Sequence, residues 1–443
     1  MAAAILIAAP ASGQGKTTVA CALARLHVRA GARVRAFKCG PDFLDPQWLA
    51  LASGAPVHGL DLWINGEADC AQRLAEAAAA ADLIVIEGVM GLHDGEPSAA
   101  ELALRFNVPV LAVVDASAMA GTLAAVAHGL QTWRPGLPWA GVLANRVAGE
   151  RHAQMLQHAV GERMPWAGAL LRDERFTLPS RHLGLAGAAE LPDALARLDL
   201  AADALAATPL GDRALSAWPA WQPPEPEPEP TPSMPPLLAG QRIAIARDAA
   251  FAFIYAANLD TLRALGAELV FFSPLAGDDL PACSAVWLPG GYPELHAARL
   301  AECSSLRAQL AAHLAAGRPL WAECGGMMAL ADTLVDGSGT AHAMWGLLPG
   351  TAVLGKRLAA LGPHAWPMGE HGLGGQTLRG HSFHWSRFDT PLQPWQHTQP
   401  ARGIAAGAGE PVYRLGALRA SWFHPWFASA PALAAQLFLP DEP

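Results

Sequence analysis

Two short stretches of this chain carry residue types whose order could do chemistry. The first is Ala9-Pro10-Ala11-Ser12-Gly13-Gln14-Gly15-Lys16-Thr17-Thr18, placed between an apolar run, Ala4–Ala9, and a helical stretch that begins near Val19. Glycines let backbone N–H groups curl around phosphate oxygens, and a helix N-terminus adds a favourable dipole. Ser12, Gly13, Gln14, Gly15, Lys16, Thr17 and Thr18 are therefore expected to hold ATP, with Lys16 on the β and γ phosphates and the Thr17 hydroxyl on Mg²⁺. Pro10 stands where the strict pattern has glycine. The second stretch is Glu323-Cys324-Gly325-Gly326, directly after the apolar run Pro319–Ala322. Small residues there allow a tight strand-to-helix turn that presents the sulfur, and the helix N-terminus is expected to lower the thiol pKa.

Each stretch has expected helpers. Mg²⁺ needs further oxygens, and Glu87 and Asp115 both follow apolar runs, Glu87 being the favoured ligand. Asp42 and Asp45, in Lys38-Cys39-Gly40-Pro41-Asp42-Phe43-Leu44-Asp45, follow another run. They read either as turn formers or as site residues, with Asp42 near the metal and Asp45 near a second substrate. Leu92 and His93, in the glycine-rich loop Glu87–Gly95, are further candidates for contact with that substrate. Asn145 either recognises the nucleotide base or simply ends its strand. For the thiol, Gly290 and Gly291 offer N–H groups suited to an oxyanion, and His424 is the expected base. A lone cysteine is usually a small buried hydrophobe, and the other five read as packing. His381 and His384 alternate in strand-like fashion onto opposite faces. That pattern suggests contact with a polar substrate or the other domain rather than zinc.

The elements that must position these residues are legible too. The runs Ala4–Ala9, Val34–Lys38, Leu83–Glu87, Val110–Asp115 and Ala140–Ala144 are continuous rather than alternating, and helical stretches separate them. Such runs suit strands buried on both faces of a parallel sheet, where ligands sit beyond the carboxyl ends. The second half repeats the style with Arg242–Ala246, Glu268–Phe272, Ala285–Leu288 and Pro319–Ala322, and with helices expected over Asn258–Leu265 and Ala297–Ala316. The fold class is α/β, two doubly wound domains. Trp218 to Pro236, rich in alternating Pro and Glu, reads as an extended solvated spacer. Domains are expected at 1–215 and 238–443, with a linker over 216–237.

Composition narrows the classes. The chain has 443 residues, 52% hydrophobic and 16% charged, which excludes a wholly disordered protein. With 30 basic against 39 acidic residues there is no basic stripe for nucleic acid. The longest apolar stretches, such as Val108 to Ala120, are interrupted by charge before the ~20 residues a membrane span needs. Met1 to Pro10 lacks a basic flank and reads as a first strand rather than a signal peptide. Six cysteines without C-x-x-C spacing argue against a disulfide framework, and the expected compartment is the cytoplasm.

Joined in one chain, the two sites suggest a relay. A thiol releases ammonia from a carboxamide, and ATP activates a carboxylate as an acyl phosphate that the ammonia displaces. The motifs SGQGKTT at 12–18, KCGPDFLDP at 38–46, EGVMGLHDG at 87–95, DASAMAGT at 115–122, LANRV at 143–147, RHLGL at 181–185, PGGYPELH at 289–296 and AECGGMM at 322–328 occur in this order. With the late histidine they resemble the cobyrinic acid a,c-diamide synthases, including the hydrogenobyrinic acid type, over nearly the whole chain. The resemblance implies ATP- and L-glutamine-dependent amidation of the a and c carboxylates of a corrin. It also implies a dethiobiotin-synthetase-like P-loop domain and a class I glutaminase domain of flavodoxin-like fold; a homodimer is one option for the assembly, which the residues do not decide. By it, Cys324 is the nucleophile, His424 its base, and Lys16, Thr17, Asp42 and Glu87 serve ATP and Mg²⁺.

Two departures stand out. Many triad glutaminases carry a glutamate two residues after the histidine, where this chain has Trp426, so His424 must be oriented by something else. The family often has Glu inside its His-x-Phe-His segment, where this chain has Ser382. Two other families share part of this pattern. Cobyric acid synthase shares both chemistries but acts on other carboxylates, and KCGPDFLDP suits the a,c type better. A partitioning-type P-loop ATPase leaves Cys324 and the whole second half unexplained.

Overall fold

The computed structural model describes residues 2–181, 184–185, 187–223, 235–368, 376–401 and 409–440. The chain divides into two compact units, Met1–Glu229 and Pro230–Pro443. Most of the Pro/Glu-rich segment, and His182 and Leu183 of the 181–185 motif, lie outside the described residues.

The first unit is built on seven strands: β1 (Ala3–Ala8), β2 (Val34–Cys39), β3 (His58–Leu60), β4 (Leu83–Glu87), β5 (Val110–Asp115), β6 (Trp139–Val147) and β7 (Trp166–Leu171). They lie in the order β3-β2-β4-β1-β5-β6-β7, and every pairing is parallel. Continuous apolar runs arise because both faces are covered. Ile5 and Ile7 enter one core with Val19 and Leu23, while Leu6 and Ala8 enter another with Leu74 and Leu102. Each fully buried Ile or Leu contributes roughly 1.5–3 kcal/mol. β3, three residues long, carries little apolar signal; β7, Trp-Ala-Gly-Ala-Leu-Leu, is apolar but was not among the runs expected as strands.

The second unit has a seven-stranded sheet in the order Glu268–Phe272, Arg242–Ala246, Ala285–Leu288, Leu320–Glu323, Leu418–Ser421, Pro411–Leu415, Gln396–His397. The first five strands are mutually parallel, and each of the last two pairs antiparallel with the strand before it. Alternate residues again feed opposite cores, Leu288 and Ala322 into one, Trp287 and Trp321 into the other. Two smaller four-stranded sheets accompany it. One of them holds Ala360–Trp366, Leu378–His384 and His424–Pro425, the second being the strand that the His381/His384 alternation suggests.

Two expectations need correction. The helix expected over Ala297–Ala316 is two helices, Ala297–Ala301 and Ser304–Ala315. The break falls where the Cys303 thiol turns inward to the Pro274 carbonyl. The start of the expected spacer is not solvated: Trp221 is buried in the first unit, its backbone N–H donating to Ala2 and its indole to Phe106. A buried indole outweighs the solvation that the surrounding prolines favour.

Candidate functional site

The nucleotide half sits at the carboxyl ends of β1, β2 and β4. Register places Glu87 beside Ile7 on one side and beside Lys38 on the other. After β1 the loop from Pro10 to Gly15 leads into α1 (Lys16–Arg29). Ser12 and Gly13 are exposed, whereas Lys16 is buried. Gly15 has φ +96°, and a Cβ there would lie 2.2 Å from the Asn145 amide nitrogen, so no other residue fits. The Lys16 ammonium donates to the carbonyls of Met90 (2.6 Å) and Ala11 (3.1 Å), which folds the Glu87–Gly95 loop over the start of the phosphate loop. Burial, then the charge of Lys38, lowers the Lys16 pKa.

Glu87 is fully buried, and one carboxylate oxygen accepts from the Thr17 hydroxyl at 2.7 Å. The same oxygen lies 3.1 Å from the Lys38 ammonium. The other oxygen is buried with no hydrogen-bond partner among the described residues. Burial and the charge of Asp45 push the Glu87 pKa up to about 8. A hydroxyl and an orphaned carboxylate oxygen, side by side, fit a hard cation that takes its remaining ligands from phosphate and water. No group of three or more His, Cys, Asp and Glu among the described residues encloses such an ion alone.

Lys38, which sequence reasoning quoted but did not assign, is the hub. Its ammonium reaches Asp45 at 2.7 Å and the Gly88 carbonyl at 3.1 Å, and its side chain is 3% exposed. Burial opposes its charge, but Glu87 and Asp45 outweigh that and hold its pKa well above the lysine range. Asp42 uses one oxygen to cap the N–H groups of Leu44 and Asp45, so turn chemistry is present as well as proximity to the site. Burial and Asp45 push its pKa up to about 6.

The remaining residues brace the loop or pack around it. Asn145 donates its amide to the Gln14 carbonyl at 2.8 Å and accepts from the Arg146 N–H at 2.9 Å, which makes it a brace for the loop. The Gln14 side chain accepts from the Asp115 N–H, and the Asp115 carboxylate is paired with Arg146 at 2.6 Å. Leu92 does not reach a substrate surface: its side chain is 1% exposed in the core. His93 is half-buried and bonded to the Leu130 carbonyl at 2.9 Å.

The thiol half lies at the carboxyl ends of the second sheet. Cys324 follows the strand Leu320–Glu323 with φ +44° and ψ −102°, a conformation uncommon for any residue but glycine. Its N–H donates to the Ser421 carbonyl at 2.7 Å, and its carbonyl accepts from Met328. A Cβ on Gly325 would lie 2.8 Å from the Gly291 nitrogen, and one on Gly326 would lie 2.1 Å from the Leu288 carbonyl. The elbow thus fits against the Gly290–Gly291 loop and the end of the strand Ala285–Leu288 only because both residues are glycine. A Cβ on Gly290 would lie 2.4 Å from His424 Cε1, so Gly290, Gly291, Cys324 and His424 converge.

The thiol does not behave as expected. Burial first, then the carboxylates of Glu294, Glu410 and Glu323, push its pKa up, while the Gly325 N–H works the other way. The helix it heads, Gly325–Leu330, spans six residues, too short a dipole to offset that burial. Burial also pushes Glu294 up to about 7.

His424 is 1% exposed, and its Nδ1 lies 3.2 Å from a carboxylate oxygen of Glu323, the residue just before the nucleophile. Sequence reasoning passed over Glu323; its one signal was an acid ending an otherwise apolar strand. His381 is internal, stacked on His424 at 5.3 Å with its Nδ1 2.8 Å from the Tyr255 hydroxyl. His384 stacks on Trp422 at 4.3 Å and faces Glu410 at 3.3 Å. Both histidines thus have partners inside their own unit. Ser382 donates to Glu410 at 2.7 Å, so a carboxylate does reach this segment, supplied from 28 residues along the chain.

Comparison with known proteins agrees with both halves. Residues 5–185 match the CobQ/CobB/MinD/ParA nucleotide binding domain, and residues 242–431 match the CobB/CobQ-like glutamine amidotransferase domain. The fold and sites define a glutamine-dependent, amide-forming ligase: an amidotransferase domain joined to a P-loop domain. The chain is 55% identical over 99% of its length, and 98% of the relative's, to the hydrogenobyrinate a,c-diamide synthase of Stutzerimonas stutzeri. It is 54% identical to that of Pseudomonas aeruginosa, over 99% of this chain and 97% of the relative. It is 47% identical to the cobyrinate a,c-diamide synthase of Herminiimonas arsenicoxydans, again over 99% and 97%. The chain belongs to the hydrogenobyrinate/cobyrinate a,c-diamide synthase family.

Proposed function

We propose that this enzyme uses ATP and L-glutamine to amidate the a and c side-chain carboxylates of hydrogenobyrinate or cobyrinate, with the following division of labour. The Cys324 sulfur attacks the glutamine carboxamide carbon as His424 takes the thiol proton. The Gly290 and Gly291 N–H groups stabilise the developing oxyanion. His424 returns its proton to the departing ammonia, and water hydrolyses the thioester to glutamate. In the first unit the ATP γ-phosphoryl group passes to a corrin carboxylate, and ammonia displaces phosphate from the acyl phosphate to form the amide. Ser12 to Thr18 cradle the phosphates, Lys16 balances their charge, and Lys38 and Asp45 stand where the carboxylate substrate approaches. Mg²⁺, held by Thr17 and Glu87 with Asp42 nearby, would supply countercharge to the phosphates.

The observation that carries this reading is the pairing, in one chain, of a Thr17–Glu87 hydroxyl-carboxylate site under a phosphate loop with a strained Cys324 elbow beside a buried histidine. The finer elements are Mg²⁺ as the ion, a cytoplasmic setting and a homodimer, the last open to size-exclusion chromatography. No described helix is long and apolar enough to cross a membrane.

The direct test incubates the purified chain with ATP, Mg²⁺ and glutamine beside hydrogenobyrinic or cobyrinic acid. Mass spectrometry is expected to find two new amides on at least one of them. Cys324→Ala is expected to lose glutamine-driven amidation and keep ammonia-driven amidation. A product with no new amides from either corrin overturns the reading.

A further inference from the structure

Taking Cys324 as the glutaminase nucleophile, we infer that Glu323 is the acid that orients His424, in place of the glutamate that other triad enzymes carry two residues after the histidine. Glu323 ends the strand Leu320–Glu323, in register with Ser421, and the chain then turns to bring His424 over it. Its carboxylate is 2% exposed, and its two oxygens divide the work. One lies 3.2 Å from His424 Nδ1. The other accepts from the indole N–H groups of Trp287 (2.9 Å) and Trp321 (2.8 Å), on the strand beside it and on its own strand. An indole N–H can only donate, so this second oxygen is held as an acceptor and the carboxylate cannot rotate.

The consequence lies in the imidazole. An ionised Glu323 accepts the Nδ1 proton, which leaves the basic lone pair on Nε2 and stabilises the imidazolium that forms when the thiol proton arrives. Burial raises the Glu323 pKa, and His424 with the two indoles opposes that rise. Of the neighbouring titratable groups, His381 stacks on His424, His364 acts on His381, and Glu294 and Glu410 act on the adjoining Cys324. His381 is kept neutral by burial and by His424 itself. Because the thiol pKa is high, an oriented base is needed: a free thiolate is scarce at neutral pH. Adjacent positions in the chain do not ordinarily face one base. Here the chain turns sharply at Cys324, where φ is +44°, while the Glu323 carboxylate reaches Trp287 on the neighbouring strand.

Glu323→Gln is the decisive variant. Its amide oxygen still accepts from the indoles, but its NH₂ faces Nδ1 and forces the imidazole proton onto Nε2, the wrong nitrogen for a base. Glutaminase kcat is expected to fall about 10²- to 10⁴-fold with KM for glutamine within threefold. The residual rate should climb about tenfold per pH unit between pH 7 and 9, as solvent rather than His424 generates thiolate, whereas the parent levels off. Ammonia-driven amidation and melting temperature should match the parent. Glu323→Asp, which keeps the charge, should restore part of kcat and the parent's pH profile. A Glu323→Gln enzyme with parental kcat, a loss confined to KM, or a folded Glu323→Asp enzyme as inactive as Glu323→Gln overturns the inference. Cys324→Ala run in parallel keeps the two readings apart. If it retains glutaminase, the nucleophile assignment falls; if it is inactive while Glu323→Gln is not, only the role of Glu323 falls.

Discussion

Replacing Gly290 by alanine adds one methyl group at the most constrained contact of the thiol half. The new Cβ would stand 2.4 Å from His424 Cε1 and 3.3 Å from the Phe253 side chain. Ordinary carbon contacts begin near 3.4 Å, so the imidazole or the loop must move by about 1 Å. The ring has little freedom to comply, being stacked on His381, bonded to Glu323 and 1% exposed. A displacement of about 1 Å in a catalytic group costs about 10²-fold in rate. Alanine keeps the backbone N–H, so the oxyanion donor is not removed and the loss reports the packing of the Gly290 loop against His424. We expect glutamate release from glutamine to fall about 10²-fold in kcat, with ammonia-driven amidation unchanged. A variant within threefold of the parent, or an equal fall with ammonia, would refute the convergence of Gly290 and His424.

Three further outcomes are expected. Lys16→Ala stops amidation from glutamine and ammonia alike, read by mass spectrometry of the corrin; amidation from ammonia at the parent rate sinks the ATP assignment. Lys38→Ala leaves the buried Glu87 and the half-buried Asp45 without their cation, at a cost of roughly 3–5 kcal/mol in the stability of the first unit, measured by urea unfolding; a change under about 1 kcal/mol contradicts the hub. Because the Cys324 thiol pKa is raised, the neutral form dominates below the ordinary thiol range. Alkylation of Cys324 by iodoacetamide should therefore accelerate about tenfold per pH unit from pH 7 to 9. A plateau near pH 7 would mean a depressed pKa instead.

Much of the architecture could be read from local pattern. Leu83–Glu87 and Val110–Asp115 appear with the expected bounds because a strand buried on both faces must be apolar at every position. Ser12–Thr18 was legible because strand, loop and helix are contiguous. Leu92 misled: its loop is glycine-rich, but its side chain fills the core. The His381 and His384 alternation was correct, yet pattern alone did not say that both faces would be internal.

Contiguous sequence by itself determined the phosphate loop, the cysteine elbow and the doubly wound layering, since each follows from residues within one strand-to-helix unit. Only tertiary structure decided how these groups are charged and aimed. Lys38 meets Glu87 across neighbouring strands 49 residues apart, and Glu323 meets His424 across 101. Glu410 supplies a carboxylate that Ser382 lacks. The physical reason is that a buried group's charge state and direction depend on the atoms packed around it, and parallel sheets draw those atoms from distant parts of the chain.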